Sequence, residues 1–251
     1  MDLGLQHRVA LVSGGSGDIG AAVAATMARE GAQVAVCWHS RPERAGEVVA
    51  AIRASGGTAV SVELDQGNPG SIDRAVTTVE RTLGAVDVLV GNAVAWPVRE
   101  EDWDSLVHGL TLNVAGTLTL AEAVLAGMRE RGWGRVVLVS SDVVDQPMPA
   151  AAGYPAGKAA IEAAARVFAV REASHGVLTN VVRPGFTLTE RALSTPGFGQ
   201  EVVDAESAKT PTRRICTPED IANVIAYLGS DANDHVNGET VSVAGGRSLT
   251  R

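Results

Sequence analysis

The run Arg8–Trp38, RVALVSGGSGDIGAAVAATMAREGAQVAVCW, decides the fold. RVALV (8–12) is a short β-type run, and SGGSGDIG (13–20) is a glycine-rich turn. AAVAATMAREG (21–31) follows as a helix closed by Gly31, and QVAVCW (33–38) reads as a second strand. A strand, a glycine turn, a helix and a strand form the unit in which such a turn binds a dinucleotide. Its backbone N–H groups and the helix dipole approach a pyrophosphate. A plain tight turn between strand and helix would use the same glycines.

The glycines fit two frames. Gly15, Gly17 and Gly20 satisfy G-x-G-x-x-G, whereas Gly14 and Gly20 fit the looser G-x-x-x-G-x-G with Asp18 in place of the middle glycine. A carboxylate near a pyrophosphate is unfavourable unless it points away or caps the helix, so Asp18 is read as a cap-like residue beside the phosphates. After the second strand comes HSRPERAGEVV (39–49). A cofactor with a free ribose 2′-hydroxyl meets an acid at this point. His39, Ser40 and Arg41 offer donors and positive charge instead, which suits a 2′-phosphate and therefore NADPH rather than NADH. The alternative is a polar loop opening a solvated helix, a face that Arg44 and Glu47 continue.

Beyond this unit the same alternation continues. Strands are expected at 58–64, 86–90, 135–139, 178–182 and 239–243, with helices at 71–83, 103–128, 156–172 and 217–229. Thr217-Pro-Glu-Asp220 looks like a capping box. Strands alternating with helices imply an α/β fold: a Rossmann-like, doubly wound parallel sheet with helices on both faces, in a single domain. Ligands bind at the carboxyl ends of such strands. The glycine turn, Asp65, Asn92, Ser141 and Pro184–Gly185 all follow strands, so they should gather along one edge. Asp65 could bond an adenine edge, and Asn92 should face the cofactor. The stretch 186–214, rich in Thr, Pro, Gly and charge, reads as a substrate lid. Trp96–Pro97 opens a loop that either lines a pocket or is a surface turn. Met148, Trp96 and Phe198 suggest an apolar pocket, although core or lid packing would use them equally.

At 251 residues, with a hydrophobic share of 45% and a charged share of 20%, the chain is an ordinary soluble globule. A net charge of -8 excludes a nucleic-acid-binding or anionic-membrane function. Cys37 and Cys216 have no metal or redox spacing and suggest a reducing compartment. No secretory signal is visible and no apolar run looks long enough to span a bilayer, so the cytoplasm is the expected location.

The chemistry lies in SSDVVDQPMPAAAGYPAGK (140–158). Tyr154 and Lys158 are four apart, one turn from each other on a helix. A lysine near a phenol favours the phenolate and lowers the Tyr pKa from its usual ~10, giving a general acid/base. The hydroxyl of Ser141 could hydrogen-bond the same substrate oxygen. The chain has only two lysines, Lys158 and Lys209, and only two tyrosines, Tyr154 and Tyr227, yet one of each stands in this pair. The alternative is a surface lysine and a half-buried tyrosine on one helix. In LNVAG, Asn113 sits among apolar neighbours, and a structural role there is as good a reading as a catalytic one.

Taken in order, SGGSGDIG, Asp65, GNAV (91–94), Asn113, Ser141, Tyr154-x-x-x-Lys158, Pro184–Gly185 with Thr189, and VAGG (243–246) resemble the short-chain dehydrogenase/reductase family. The likeness spans nearly the whole chain and is to its compact form, like the 3-oxoacyl-carrier-protein reductases. The resemblance implies that Tyr154 gives a proton to a carbonyl oxygen while nicotinamide delivers hydride to carbon. Lys158 would bind the nicotinamide ribose, Ser141 would hold the substrate oxygen, and Asn113 would help carry a proton relay through water to Lys158. The cofactor would meet Gly14, Ser16, Asp18, Ile19, Gly20, His39, Ser40, Arg41, Asp65, Asn92, Ala93, Tyr154, Lys158, Pro184, Gly185, Thr187 and Thr189, without a metal. The resemblance also implies a homo-tetramer or dimer packed through the helices bearing Asn113 and Tyr154.

The chain departs from the family pattern at Asp18, at Gly91–Asn92 in place of paired asparagines, and at Val94 in place of a glycine. Gly132 and His175 stand where carrier-protein-dependent relatives tend to have arginines. The expectation is an NADPH-dependent ketoreductase acting on a small or polyketide-like ketone. The alternatives are a fatty-acid-type 3-oxoacyl-carrier-protein reductase and a non-catalytic, cofactor-binding regulatory protein.

Overall fold

The computed structural model describes residues 2–98, 100–146, 151–194 and 199–250. Met148 and Phe198 lie outside them. Seven strands form one parallel sheet in the order β3-β2-β1-β4-β5-β6-β7. They are β1 (Val9–Val12), β2 (Gln33–Trp38), β3 (Thr58–Glu63), β4 (Val88–Gly91), β5 (Gly134–Val139), β6 (Val177–Pro184) and β7 (Thr240–Val243). The order reverses between β1 and β4, so the crevice for a ligand opens where the chain leaves those two strands.

Alternation along the strands builds two apolar layers. Ala10, Val12, Val34 and Val36 face α1 (Asp18–Arg29), α2 (Pro42–Ala54) and α9 (Pro218–Leu228), where Val23, Met27, Ile52, Ile221 and Ile225 are buried. Val9, Leu11, Ala35 and Cys37 face α3 (Pro69–Leu83), α5 (Thr117–Arg131) and α6 (Gly153–Glu172), where Ile72, Leu120, Leu125, Ile161 and Phe168 are buried. Each fully buried Leu or Ile contributes roughly 1.5–3 kcal/mol, so both layers hold the sheet flat against its helices. Asn68 caps α3, and the expected capping box at α9 is present, with Thr217 and Asp220 reciprocally bonded.

The long helix expected at 103–128 is present, and two features go beyond the sequence reading. Residues 103–131 form one continuous helical path, α4 (Trp103–Leu110), a π-helical turn (Thr111–Gly116) and α5. This 29-residue path is long and apolar enough to cross a membrane, contrary to expectation. It passes that test because Leu120, Ala121, Val124, Leu125 and Met128 face the sheet, and its charged residues cluster toward the ends. The segment 186–214 contains two helices, α7 (Glu190–Ser194) and α8 (Gln200–Lys209). Its base is fastened by backbone bonds from Cys216 N to Phe186 O and from Leu188 N to Cys216 O.

Candidate active site

The glycine turn settles into the looser frame. Gly14 has a φ of 62°, in the left-handed region, while a Cβ on Gly20 would lie 2.2 Å from the Gly14 carbonyl oxygen. α1 starts at Asp18 without a side-chain cap, so its first N–H groups are left for another acceptor. This corrects the reading of Asp18 as a cap. Its carboxylate turns away from the turn, accepting from Arg44 Nη2 through Oδ1 and from Glu190 N (2.9 Å) through Oδ2. Arg44 also donates to Glu190 Oε2 at 2.7 Å, so it bridges two elements instead of continuing a solvated face. Ser16 is buried and Ile19 half-buried in this turn.

Asn92 supports the turn from β4. Its Nδ2 donates to the carbonyls of Ser13 and Gly14, both at 3.2 Å, and the N–H groups of Asn92 and Ala93 donate to Ser13 Oγ. Arg41 is exposed, lies 3.7 Å from where a Gly17 Cβ would be, and has no carboxylate partner among the described residues. His39 Nε2 lies 4.0 Å from Asp65 Oδ2, with Ser40 exposed between His39 and Arg41. A cavity of about 450 Å³ runs past His39, Asp65, Gly67, Ala95, His108, Thr111 and Leu112. An uncapped helix start, a turn that only glycine can make and an unpaired arginine beside it fit the phosphates of a dinucleotide.

The catalytic candidates meet where β5 ends and α6 begins. Tyr154 stands in the first turn of α6, and Lys158 is one turn on, its Nζ 5.8 Å from the phenol ring centroid. Burial pushes the Tyr154 phenol up to about 12, opposed by the nearby Ser141 hydroxyl and Arg191 and reinforced by Asp142. Burial lowers Lys158 to about 8, and its ammonium donates to Val139 O at 2.7 Å. The expectation that Lys158 draws the phenol down is corrected: desolvation is the largest effect on Tyr154 and Lys158 is not among the groups that shift it, so Tyr154 remains a neutral O–H donor at ordinary pH.

Asn113 lies in the π-helical turn, a geometry associated with functional sites. Its Oδ1 accepts from Ala95 N (2.8 Å) and its Nδ2 donates to Ala95 O (2.9 Å). Both ends of the amide are spent on the loop after β4, so the structural reading of Asn113 is the one realised by its side chain. That loop carries Trp96, whose ring stacks on Tyr154 with centroids 5.8 Å apart. The Arg191 guanidinium lies 4.5 Å over the other ring partner, Trp96 itself. A small cleft beside Tyr154 is walled by Trp96, Pro97, Val98, Leu106 and Gly153. Trp96 thus lines a pocket rather than forming a surface turn.

At the end of β6, Pro184 is the last strand residue and Gly185 N donates to Val243 O. Thr187 Oγ1 donates to Gly185 O, and Thr189 Oγ1 accepts from Ala192 N at the start of α7. Neither threonine showed this anchoring role in the sequence. Also missed were Asp142, a half-buried carboxyl raised by desolvation and adjacent to Ser141, and a network behind the site. There Ser140 Oγ donates to Glu162, which also receives Arg183 at 2.6 Å. These partners are far apart in sequence and carry no spacing signal.

Residues 15–248 match the family model described as enoyl-(acyl carrier protein) reductase. An uncharacterized oxidoreductase of Methylorubrum extorquens is 35% identical over 248 residues, covering 96% of this chain and 98% of that one. The short-chain reductase protein NovJ of Streptomyces niveus is 33% identical, covering 96% and 94%. Among solved structures, a gluconate 5-dehydrogenase from Burkholderia cenocepacia in complex with NADP and tartrate superimposes with a TM-score of 0.88 at 26% identity. It covers 100% of this chain and 98% of that one.

Proposed function

The chain belongs to the short-chain dehydrogenase/reductase family, an oxidoreductase that binds a nicotinamide cofactor, and on that premise we propose that it is an NADPH-dependent ketoreductase. The observation that carries this reading is the half-buried Tyr154 phenol, held protonated beside Ser141 and one turn from Lys158 at the carboxyl edge of the sheet. Reduction of a ketone needs a proton donor at the carbonyl oxygen, and Tyr154 is that donor. Ser141 orients the oxygen. Lys158, fixed by Val139 O, keeps a positive charge behind the phenol below about pH 8 and stabilises the phenolate as the proton leaves. When bound, the cofactor supplies the hydride. Gly14, Ser16, Ile19 and Gly20 would hold its phosphates, with Asn92 and Ala93 keeping the turn in shape. Asp65 would meet the adenine, and Pro184, Gly185, Thr187 and Thr189 would flank the nicotinamide. Asp18 acts through Arg44 and Glu190 rather than by contact.

Arg41 supports NADPH over NADH, because it is a cation without a carboxylate partner among the described residues beside the turn. Segment 186–214 acts as the lid, and the substrate is a small or polyketide-like ketone. An acyl-carrier substrate is disfavoured: Gly132 and His175 stand where carrier-dependent relatives tend to have arginines, and the adjacent Arg131 is engaged by Val86 O and Asp87. We also read the enzyme as cytoplasmic and as a homo-tetramer or dimer. Trp103, Val167 and Val170, exposed on α4 and α6, suit burial between subunits.

The cofactor part is tested by titrating the protein with NADPH and with NADH, following nicotinamide fluorescence. The wild type is expected to favour NADPH by about tenfold or more, with Arg41→Ala weakening NADPH far more than NADH. Equal losses would move the 2′-phosphate site elsewhere. Stoichiometric cofactor binding without turnover on a broad carbonyl panel would favour the regulatory alternative.

A further inference from the structure

Above the phenol of Tyr154 two side chains are stacked in sequence. Trp96 covers the Tyr154 ring with centroids 5.8 Å apart, and the Arg191 guanidinium sits 4.5 Å from the Trp96 centroid. Arg191 is close enough for its charge to act on the phenol, opposing the rise that burial causes.

Arg191 is also without a carboxylate. Around the site, Arg44 pairs with Asp18 and Glu190, Arg183 with Glu162 and Asp145, Arg214 with Asp220, and Arg247 with Glu206. Arg191 makes no ion pair or side-chain hydrogen bond among the described residues, and its ring contact is cation–π. Seated over an aromatic ring, a guanidinium keeps N–H donors in a fork that matches a carboxylate.

Its position is not an accident of a loose surface arginine. The preceding residue, Glu190, is held twice: its N–H by Asp18 Oδ2 at 2.9 Å and its carboxylate by Arg44 at 2.7 Å. Thr189 caps the same turn through Ala192 N. α7 therefore starts at a fixed point on the glycine turn, and Arg191 is presented toward Trp96 from there. Glu101, the acid that lines the cleft, accepts from Gly153 N through Oε2 at 3.0 Å. Among the described residues the cation at the mouth of the pocket thus has no ion-pair partner of its own.

Resting on the reductase reading, we propose that the substrate is an anionic ketone whose carboxylate is received by Arg191 while its body lies against Trp96 and its carbonyl reaches Tyr154. The two groups are set apart by their separate contacts with Trp96, the guanidinium 4.5 Å and the phenol ring 5.8 Å from its centroid, so a ketone separated from its carboxylate by a ring suits the pair better than a 2-oxo acid, in which the two groups are adjacent.

The test compares 4-acetylbenzoate with its methyl ester, and with benzoylformate, as substrates for the wild type and Arg191→Gln with NADPH. The wild type is expected to prefer 4-acetylbenzoate to the ester and to benzoylformate in kcat/KM. In Arg191→Gln the acid-to-ester preference should fall by about 10- to 100-fold, chiefly through KM, as for loss of a hydrogen bond to a charged group. A wild-type preference for the ester, or a proportional loss on acid and ester in the variant, overturns the anionic substrate and leaves the reductase reading standing. If the wild type reduces none of the three, the reductase reading is decided by a broad ketone panel. Calorimetric titration of 4-(1-hydroxyethyl)benzoate into the NADP-loaded protein then decides the anion site. Binding that Arg191→Gln loses supports it, and absent or unchanged binding overturns it.

Discussion

Lys158 is the residue at which stability and chemistry conflict. It is 4% exposed, and burial lowers it to about 8 from its ordinary value of 10.5. Since the folded pKa is the lower one, the unfolded chain binds the extra proton between those two values. The cost of the buried charge is therefore fully present below about pH 8 and is relieved as pH rises toward 10.5. Lys158→Met should abolish turnover yet stabilise the fold at pH 7 by about 1–2 kcal/mol, because the charge penalty exceeds the lost bond to Val139 O. The gain should vanish by about pH 10. Urea unfolding of the cofactor-free protein at both pH values checks the sign, and a loss of stability at pH 7 would show that the hydrogen bond dominates. The pairing of Tyr154 with Lys158 was legible because a chain poor in both residue types spends one of each a single turn apart. Their pKa values were not, because burial depends on the loop carrying Trp96, which no local pattern places over Tyr154.

At the level of elements, the π-helical turn 111–116 and the loop after β4 act as a unit. Asn113 satisfies both backbone groups of Ala95, and the next residue, Trp96, rests on Tyr154. Asn113→Ala should cost about 1–3 kcal/mol, because it leaves a half-buried N–H and carbonyl without their partner. Thermal unfolding measures that cost, and a change below about 0.5 kcal/mol would mean water replaces the amide. All seven strands were readable, since short runs rich in valine recur between helical segments and leave little choice of period. The membrane-length character of the path 103–131 was not, because Asp104, Asn113 and Glu122 interrupt its apolar run although its average is apolar. The clamp of Asp18, Arg44 and Glu190 was equally hidden. A one-residue departure from the glycine motif suggested a cap, whereas its partner lies in a segment more than 170 residues later, at Glu190 N.

Across the whole molecule, carboxylates that bind arginines set the acid limit of the fold. Arg129 and Arg171 hold Glu172 at about 2, and Arg214 holds Asp220 at about 2, both depressed from their ordinary values. A depressed carboxylate stabilises above its unfolded pKa, and that contribution is lost as pH falls from about 4.5 toward 2. Glu172→Gln should therefore lower stability at pH 7 and flatten the acid side of the stability curve, as followed by urea unfolding from pH 6 to pH 2.5. An unchanged slope would assign acid sensitivity to other carboxylates. The sheet gathers the glycine turn, Ser141 and Tyr154 from three separate stretches onto one edge, and the reaction depends on that gathering. The most direct measurement is NADPH-dependent reduction of a broad ketone panel by the wild type and by Tyr154→Phe, with NADPH affinity measured alongside. The account predicts that Tyr154→Phe loses turnover by a factor of about 10² or more while binding NADPH nearly as well as the wild type. Retained turnover in Tyr154→Phe would contradict the assignment of Tyr154 as the proton donor.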